Sequence, residues 1–316
     1  MPLTSSAQEI DTITVTATGR ERGSQDVPIS VTAVGQEQLE RQGVTDIKNL
    51  VSLVPSLNVN RSNTETGGST IRLRGVGTTG NNAGLEGSVG VFVDGVYLAR
   101  PGIAFASHVD IERVEVLRGP QGTLFGRNTS AGAIDFKTNK PNLQEGESRV
   151  DLSYGNFDDL VVTNIINIPV AEDKLGLRFA GTYHRRDGFL HSEFDGIALG
   201  DEGFAQSNDR KRYFLRGQAL YEPTEDITLR VIADYFESDE RCCDGAIRFE
   251  SSTIPGAFGA VAAGLIPTLA TNTFARTGDG ISSFGKDALD DRETNVNRER
   301  DNHQRQWGVS AELNWR

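Results

Sequence analysis

Guanidinium groups set beside glycines are the first chemistry this chain offers. Arg74 and Arg118 each precede a glycine and Arg127 follows one, so each charge sits where the backbone is free to pack closely. A guanidinium enclosed there must find acceptors, whereas one left at the surface is simply solvated. Cys242 and Cys243 are adjacent; neighbouring cysteines bond only through a strained ring. They read as a vicinal disulfide or as two free thiols, and nothing nearby completes a metal site. His108 shares a loop with Arg100 and Phe105, but a single loop histidine has no partners at ligand spacing. Nucleophile elbows, zinc spacings and phosphate loops do not occur. The expectation is therefore no enzyme, no metal and no cofactor.

These side chains need a scaffold, and the glycines describe it. In Ile111 to Thr138, IERVEVLRGPQGTLFGRNTSAGAIDFKT, a strand runs into glycine-dense loops before another strand. Gly119, Gly122, Gly126 and Gly132 are expected to supply positive φ or close approach. IERVEVLRG alternates Ile111, Val114, Val116 and Leu117 with charged residues. VFVDGVY, with Phe92 and Val96 around Asp94-Gly95, predicts a hairpin whose two central residues both take positive φ. ISVTAV from Ile29 reads as a strand and Gln36 to Gln42 as a short helix ended by Gly43. A second helix is expected over Asp46 to Leu53, with Ile47, Leu50, Val51 and Val54 on one face and Pro55 as its stop. Ile71 and Leu73 oppose Arg72 and Arg74 across one more strand. The sum is a small mixed α+β unit.

Composition and charge narrow the classes further. A hydrophobic fraction of 37% with 35 glycines suits a β-rich chain better than a helical one. No run of about 18 apolar residues is present to cross a membrane as a helix. The net charge of −12 argues against a nucleic-acid partner, since phosphate binding needs a basic face. Met1 to Gln8 lacks the basic start and apolar centre of a signal peptide.

From Arg149 onward the pattern changes to segments of about ten residues that alternate apolar and polar positions. Leu175, Leu177, Phe179 and Tyr183 alternate with Arg178, Thr182 and His184. Tyr213, Leu215, Ala219 and Tyr221 alternate with Arg212, Arg216 and Gln218, and Ile227, Leu229, Val231, Ala233 and Tyr235 with Thr228, Arg230 and Asp234. Trp307, Val309, Ala311, Leu313 and Trp315 close the series. Strands of this length, with aromatics near their ends, meet the requirements of a transmembrane barrel. A large soluble sandwich alternates too. PVAED and EPTED are short connections, whereas 187–209 and 239–302 are long and polar; short turns inside and long loops outside is the outer-membrane pattern, with the first strand running outward.

Taken together, DTITVTA at Asp11 to Ala17, IRLRGVGT at Ile71, VGVFVDGVYLARP at Val89 and the Ile111 to Thr138 stretch resemble the N-terminal plug of a TonB-dependent outer-membrane receptor. The resemblance is strong over roughly the first 140 residues and rests on pattern alone beyond them. It implies a tail with a TonB box over residues 1–20, a plug over 21–140 and a partial barrel over 147–316, incomplete at about six of 22 strands. Because an open sheet edge is costly in hydrocarbon, the chain is expected to be the N-terminal part of a longer receptor. The box would be Asp11, Thr12, Ile13, Thr14, Val15, Thr16 and Ala17, an extended stretch able to add a strand to a periplasmic partner. Arg74, Arg118 and Arg127 would pair with carboxylates of the barrel wall. Thr78, Thr79, Asn81, Asn82, Leu85, Arg100 and Phe105 would touch the ligand from apical loops. The partners implied are TonB with its inner-membrane energising complex, outer-membrane lipid and an iron-siderophore or similar small ligand. Uptake of a vitamin, haem, glycan or aromatic compound stays open, as does an exported β-rich binding or adhesion module.

Overall fold

The computed structural model describes residues 14–15, 22–23, 27–44, 47, 49–60, 70–77, 86–98, 109–192, 206–241, 293–294 and 301–315. The chain divides into two compact units, Met1–Lys140 and Pro141–Arg316.

The first unit is built on a five-stranded sheet. Its strands are β3 (Val31–Gly35), β6 (Val89–Val93), β7 (Val96–Leu98), β8 (Ile111–Arg118) and β9 (Gly132–Thr138). They lie in the order β3-β8-β9-β6-β7, antiparallel throughout except for the parallel β9–β6 pair. The predicted hairpin is present: Val93 opposes Val96, and Asp94 (φ 48°) and Gly95 (φ 80°) both take positive φ. Helix α1 (Gln36–Arg41) and a separate ladder of β4 (Leu57–Asn60) and β5 (Thr70–Leu73) supply the rest of the core. Leu39, Ile47, Leu50, Val54, Leu57 and Leu73 are buried with Val91, Val114, Val116, Ile134 and Phe136.

Two expectations are corrected here. The described part of the second helix is a 3-10 turn, Asn49–Ser52, in which the Ser52 hydroxyl donates to Asn49 O at 2.8 Å and so competes with the regular helical pattern. Its apolar spacing still serves, because Ile47, Leu50 and Val54 are buried. Gly122 provides neither positive φ nor close approach: it opens the short helix α2 (Gly122–Phe125), and a Cβ there would meet nothing within 4 Å. Gly132 does both, with φ 151° and a hypothetical Cβ 2.3 Å from Leu117 O. Strand β8 sits between β3 and β9 with both faces covered, and Glu115 on its polar face has an exposure of 0%.

The second unit is a six-stranded antiparallel sheet made of β10 (Glu147–Gly155), β11 (Asp159–Ala171), β12 (Leu175–Arg186), β15 (Arg210–Thr224), β16 (Ile227–Arg241) and β18 (Asp301–Trp315), hydrogen-bonded in that order. Short pieces β13 (Leu190–Ser192), β14 (Gln206–Ser207) and β17 (Glu293–Thr294) form a separate small sheet. Among the described residues the large sheet does not close, since β10 and β18 are its two edges.

Burial in this sheet runs opposite to that of a water-soluble protein. Leu215 is 60% exposed while Arg212, three residues earlier on the other face, is 3% exposed. Phe179, Tyr213 and Tyr221 are exposed, whereas Arg178, Arg216, Gln218 and Arg230 are buried. The outer face is apolar, as a lipid-embedded wall requires, while the inner face sets these polar groups among the buried Phe214, Leu220, Ile232 and Phe236. Along β15, Tyr213 and Tyr221 are eight positions apart, about 27 Å at 3.4 Å per residue, close to the height of an outer-membrane apolar band once strand tilt is allowed for. The first hairpin departs from the expected short and long alternation: β10 and β11 join through 156–158, as tightly as β11 and β12 join through 172–174.

Candidate functional site

The site begins with the described part of the segment expected to be the box. Thr14–Val15 forms β1 and pairs antiparallel with β2 (Arg22–Gly23), Val15 opposite Arg22. Alternation turns Val15 inward, where it is fully buried in a second cluster with Val27, Phe92, Leu117 and Ala133. Phe125 and Tyr97 flank that cluster, the Phe92 and Phe125 rings meeting edge to face at 5.0 Å. Leu117 and Ala133 belong to the central strands, so the second cluster covers the sheet face opposite the main core. Asp11, Thr12, Ile13, Thr16 and Ala17 lie outside the described residues.

The three arginines occupy different surroundings. Arg74 takes a left-handed conformation (φ 53°) ahead of Gly75 and donates from Nη2 to Ser30 Oγ at 3.3 Å. Arg118 N–H donates to Ser30 O at 3.0 Å, while its buried Nε has no hydrogen-bond partner among the described residues. Ser30 therefore gathers Arg74 and Arg118, which are distant in sequence, at one end of the sheet. Arg127 is exposed and pairs with Glu86 at 3.4 Å within the same unit.

Charges that sequence reasoning missed lie on the face carrying the second cluster. Arg113 Nε donates to Glu115 Oε1 at 2.9 Å, and Arg113 also bonds Glu112. On β9, Lys137 pairs with Asp135 at 2.8 Å. The ladder sets Glu115 opposite Asp135 and Arg113 opposite Lys137. Burial raises the Asp135 pKa, with Lys137 opposing it and Glu115 adding to it. For Arg113 burial acts against the charge, but Glu112 and Glu115 outweigh it and raise the pKa. The alternation of Arg113 with Glu115 was visible in sequence, but only the sheet order reveals that this face is covered. Asp94 of the hairpin also proves structural: its carboxylate accepts Thr138 N–H at 3.1 Å and the Thr138 hydroxyl at 2.7 Å.

Cross-strand ion pairs line the polar face of the second unit. Arg212 Nη2 reaches Glu240 at 2.7 Å, Arg216 Nε reaches Asp234 at 2.5 Å and Arg178 Nη1 reaches Glu147 at 2.9 Å. Arg230 Nε donates to Gln218 Oε1 at 3.0 Å. Strand alternation places all of these opposite the exposed apolar row. The candidate ligand contacts Thr78, Thr79, Asn81, Asn82, Leu85, Arg100 and Phe105, together with His108, Cys242 and Cys243, lie outside the described residues. Among the described residues no group of three metal-ligating side chains comes together.

Comparison with known proteins agrees with this architecture. The family model described as TonB-dependent Receptor Plug Domain matches residues 24–133. The vitamin B12 transporter BtuB of Vibrio vulnificus (strain CMCP6) is 30% identical over 191 residues, covering 58% of this chain and 30% of that protein. The pesticin receptor of Yersinia pestis is 35% identical over 137 residues, covering 43% of this chain and 20% of its own length. The crystal structure of the ferric yersiniabactin uptake receptor FyuA from Yersinia pestis superposes with a TM-score of 0.59 at 22% identity, over 67% of this chain and 32% of that one, a likeness of fold. The chain thus spans about a third or less of the length of these relatives. Residues 24–133 thus match a TonB-dependent receptor plug domain, and the chain as a whole shares part of its fold with a receptor of that kind, the matched plug being followed here by antiparallel strands of inverted polarity.

Proposed function

We propose that the chain forms the plug and first wall strands of a TonB-dependent active transporter that takes up a ferric siderophore. The observation that carries the reading is the box strand: Val15 is buried against Leu117 and Ala133 of the central sheet. A pull on β1 would load that second cluster directly. A partner strand added to the box, a contact made of backbone hydrogen bonds, would supply the pull, and TonB is the partner the family implies. Thr14 and Val15 favour the extended conformation such pairing needs. Arg74 and Arg118, gathered at Ser30, are the groups proposed to meet carboxylates of the wall. The apical segments Thr78 to Leu85 and Ala99 to His108 are proposed to meet the ligand. FyuA, whose fold this chain shares in part, is a ferric yersiniabactin uptake receptor, which supports an iron-chelate cargo.

A second reading, corrinoid uptake, is favoured by the identity with the vitamin B12 transporter over 191 residues. Cells carrying the full-length receptor, with and without Val15→Pro, separate the possibilities when supplied with radiolabelled ferric siderophore or with labelled cobalamin. The proline should leave outer-membrane insertion intact and abolish uptake. Unchanged uptake would remove the box assignment, and uptake confined to cobalamin would replace the cargo.

A further inference from the structure

The β12, β15 and β16 strands end together around a cavity of about 370 Å³. Five cations line it: Arg185, Arg186, Arg210, Lys211 and Arg241. Only two carboxylates among the described residues, Asp187 and Asp209, oppose them there, in a chain whose net charge is −12. Asp187 lies 3.4 Å from Arg185, and Asp209 accepts the Arg241 backbone N–H at 2.5 Å. Arg186 is held in place by Asn208 O at 2.7 Å and by the Phe189 ring, 5.1 Å from its guanidinium carbon. Its buried Nε has no hydrogen-bond partner among the described residues.

The depth of this cluster along the wall suggests its ligand. Arg185 pairs in register with Lys211, two positions beyond the pair Tyr183 and Tyr213. The two tyrosine rings lie 5.0 Å apart on the apolar face, the amphipathic belt that marks the edge of hydrocarbon. Two residues add about 7 Å along a strand, which carries the exposed Arg185 and Lys211 into a headgroup layer about 5 to 7 Å deep. Guanidinium forks match phosphate oxygens, and lysine adds a mobile point charge. We propose that this cavity binds a phosphate of a membrane lipid headgroup at the loop end of the barrel wall. The inference rests on the outward placement of the long connections given above.

The full-length receptor, purified in detergent, tests it by native mass spectrometry against a bisphosphorylated diglucosamine lipid, its dephosphorylated counterpart and inorganic phosphate. The phosphorylated lipid should be retained at least tenfold more strongly than the dephosphorylated one, and R185E with K211E should erase that preference. Lys174→Glu, at the opposite strand ends, should leave it unchanged. Heat-modifiable gel migration reports folding of each variant. Equal retention of the two lipids, or a preference that survives the double charge reversal, overturns the proposal; displacement by millimolar phosphate reassigns the cavity to a free anion and overturns the lipid. Proteolysis of the 193–205 connection in intact cells checks orientation separately: cleavage without lipid preference sinks only the lipid site, whereas protection sinks the outward orientation and the lipid site with it.

Discussion

Glu115 and Asp135 stand directly opposite each other on adjacent central strands of the plug, both closed to solvent, each with a cation two residues away on its own strand. Like charges facing across a ladder are destabilising, so Arg113 and Lys137 are what make the arrangement tolerable. Removing one partner of a buried pair is costly because the other charge is left uncompensated.

Glu115→Gln should therefore destabilise the plug by about 3 kcal/mol, and Asp135→Asn should remove the pH dependence that Asp135 contributes. The sign for Asp135 follows from its raised pKa: the folded state holds its proton more tightly than the unfolded state, so this group's contribution is fully present below the unfolded value. It is lost as pH rises through the folded one. Amide hydrogen exchange in β8 and β9 across that pH range measures both effects. A steeper pH dependence in Asp135→Asn would contradict the assignment.

Leu117→Ala removes the side chain on which the buried Val15 rests. Truncation of a fully buried leucine costs about 2 to 5 kcal/mol, and β1 should feel it. Exchange protection of the amides in Thr14–Val15 and Arg22–Gly23 should fall together; unaltered protection would show that β1 is held by something else.

Two glycines in one segment should behave oppositely on substitution. Gly132→Ala forces a Cβ toward Leu117 O and strains a left-handed φ, and should cost about 2 to 3 kcal/mol. Gly122→Ala meets nothing and should be neutral or stabilising by about 0.5 kcal/mol. Limited proteolysis of the plug in the purified receptor ranks the two variants.

On the wall, Phe179 is exposed on the apolar face between the aromatic ends of the strands. Phe179→Arg should lower folding stability by about 2 to 4 kcal/mol, and Leu215→Arg, which lies closer to the Tyr213 belt, by less. Urea-dependent folding into lipid vesicles is the measurement, and equal costs at the two positions would contradict the proposed depth.

Local order was open to the sequence because its causes are local. Alternation along Tyr213 to Tyr221 gave the two faces of a wall strand, Asp94-Gly95 gave the hairpin, and Thr14 with Val15 gave an extended segment. The site was only partly legible. Arg74 and Arg118 could be singled out by their glycines, but not their meeting at Ser30, which lies on a third segment. The meeting of Arg113, Glu115, Asp135 and Lys137 on a covered face was not legible, because burial depends on how many layers cover a strand. That number is set by sheet order, and the placing of β8 between β3 and β9 is a long-range outcome. Sequence alone determined which side chains share a face, since a strand repeats every two residues. The tertiary structure decided which faces are closed and which charges meet, because pairing partners come from segments with no neighbourhood in the chain.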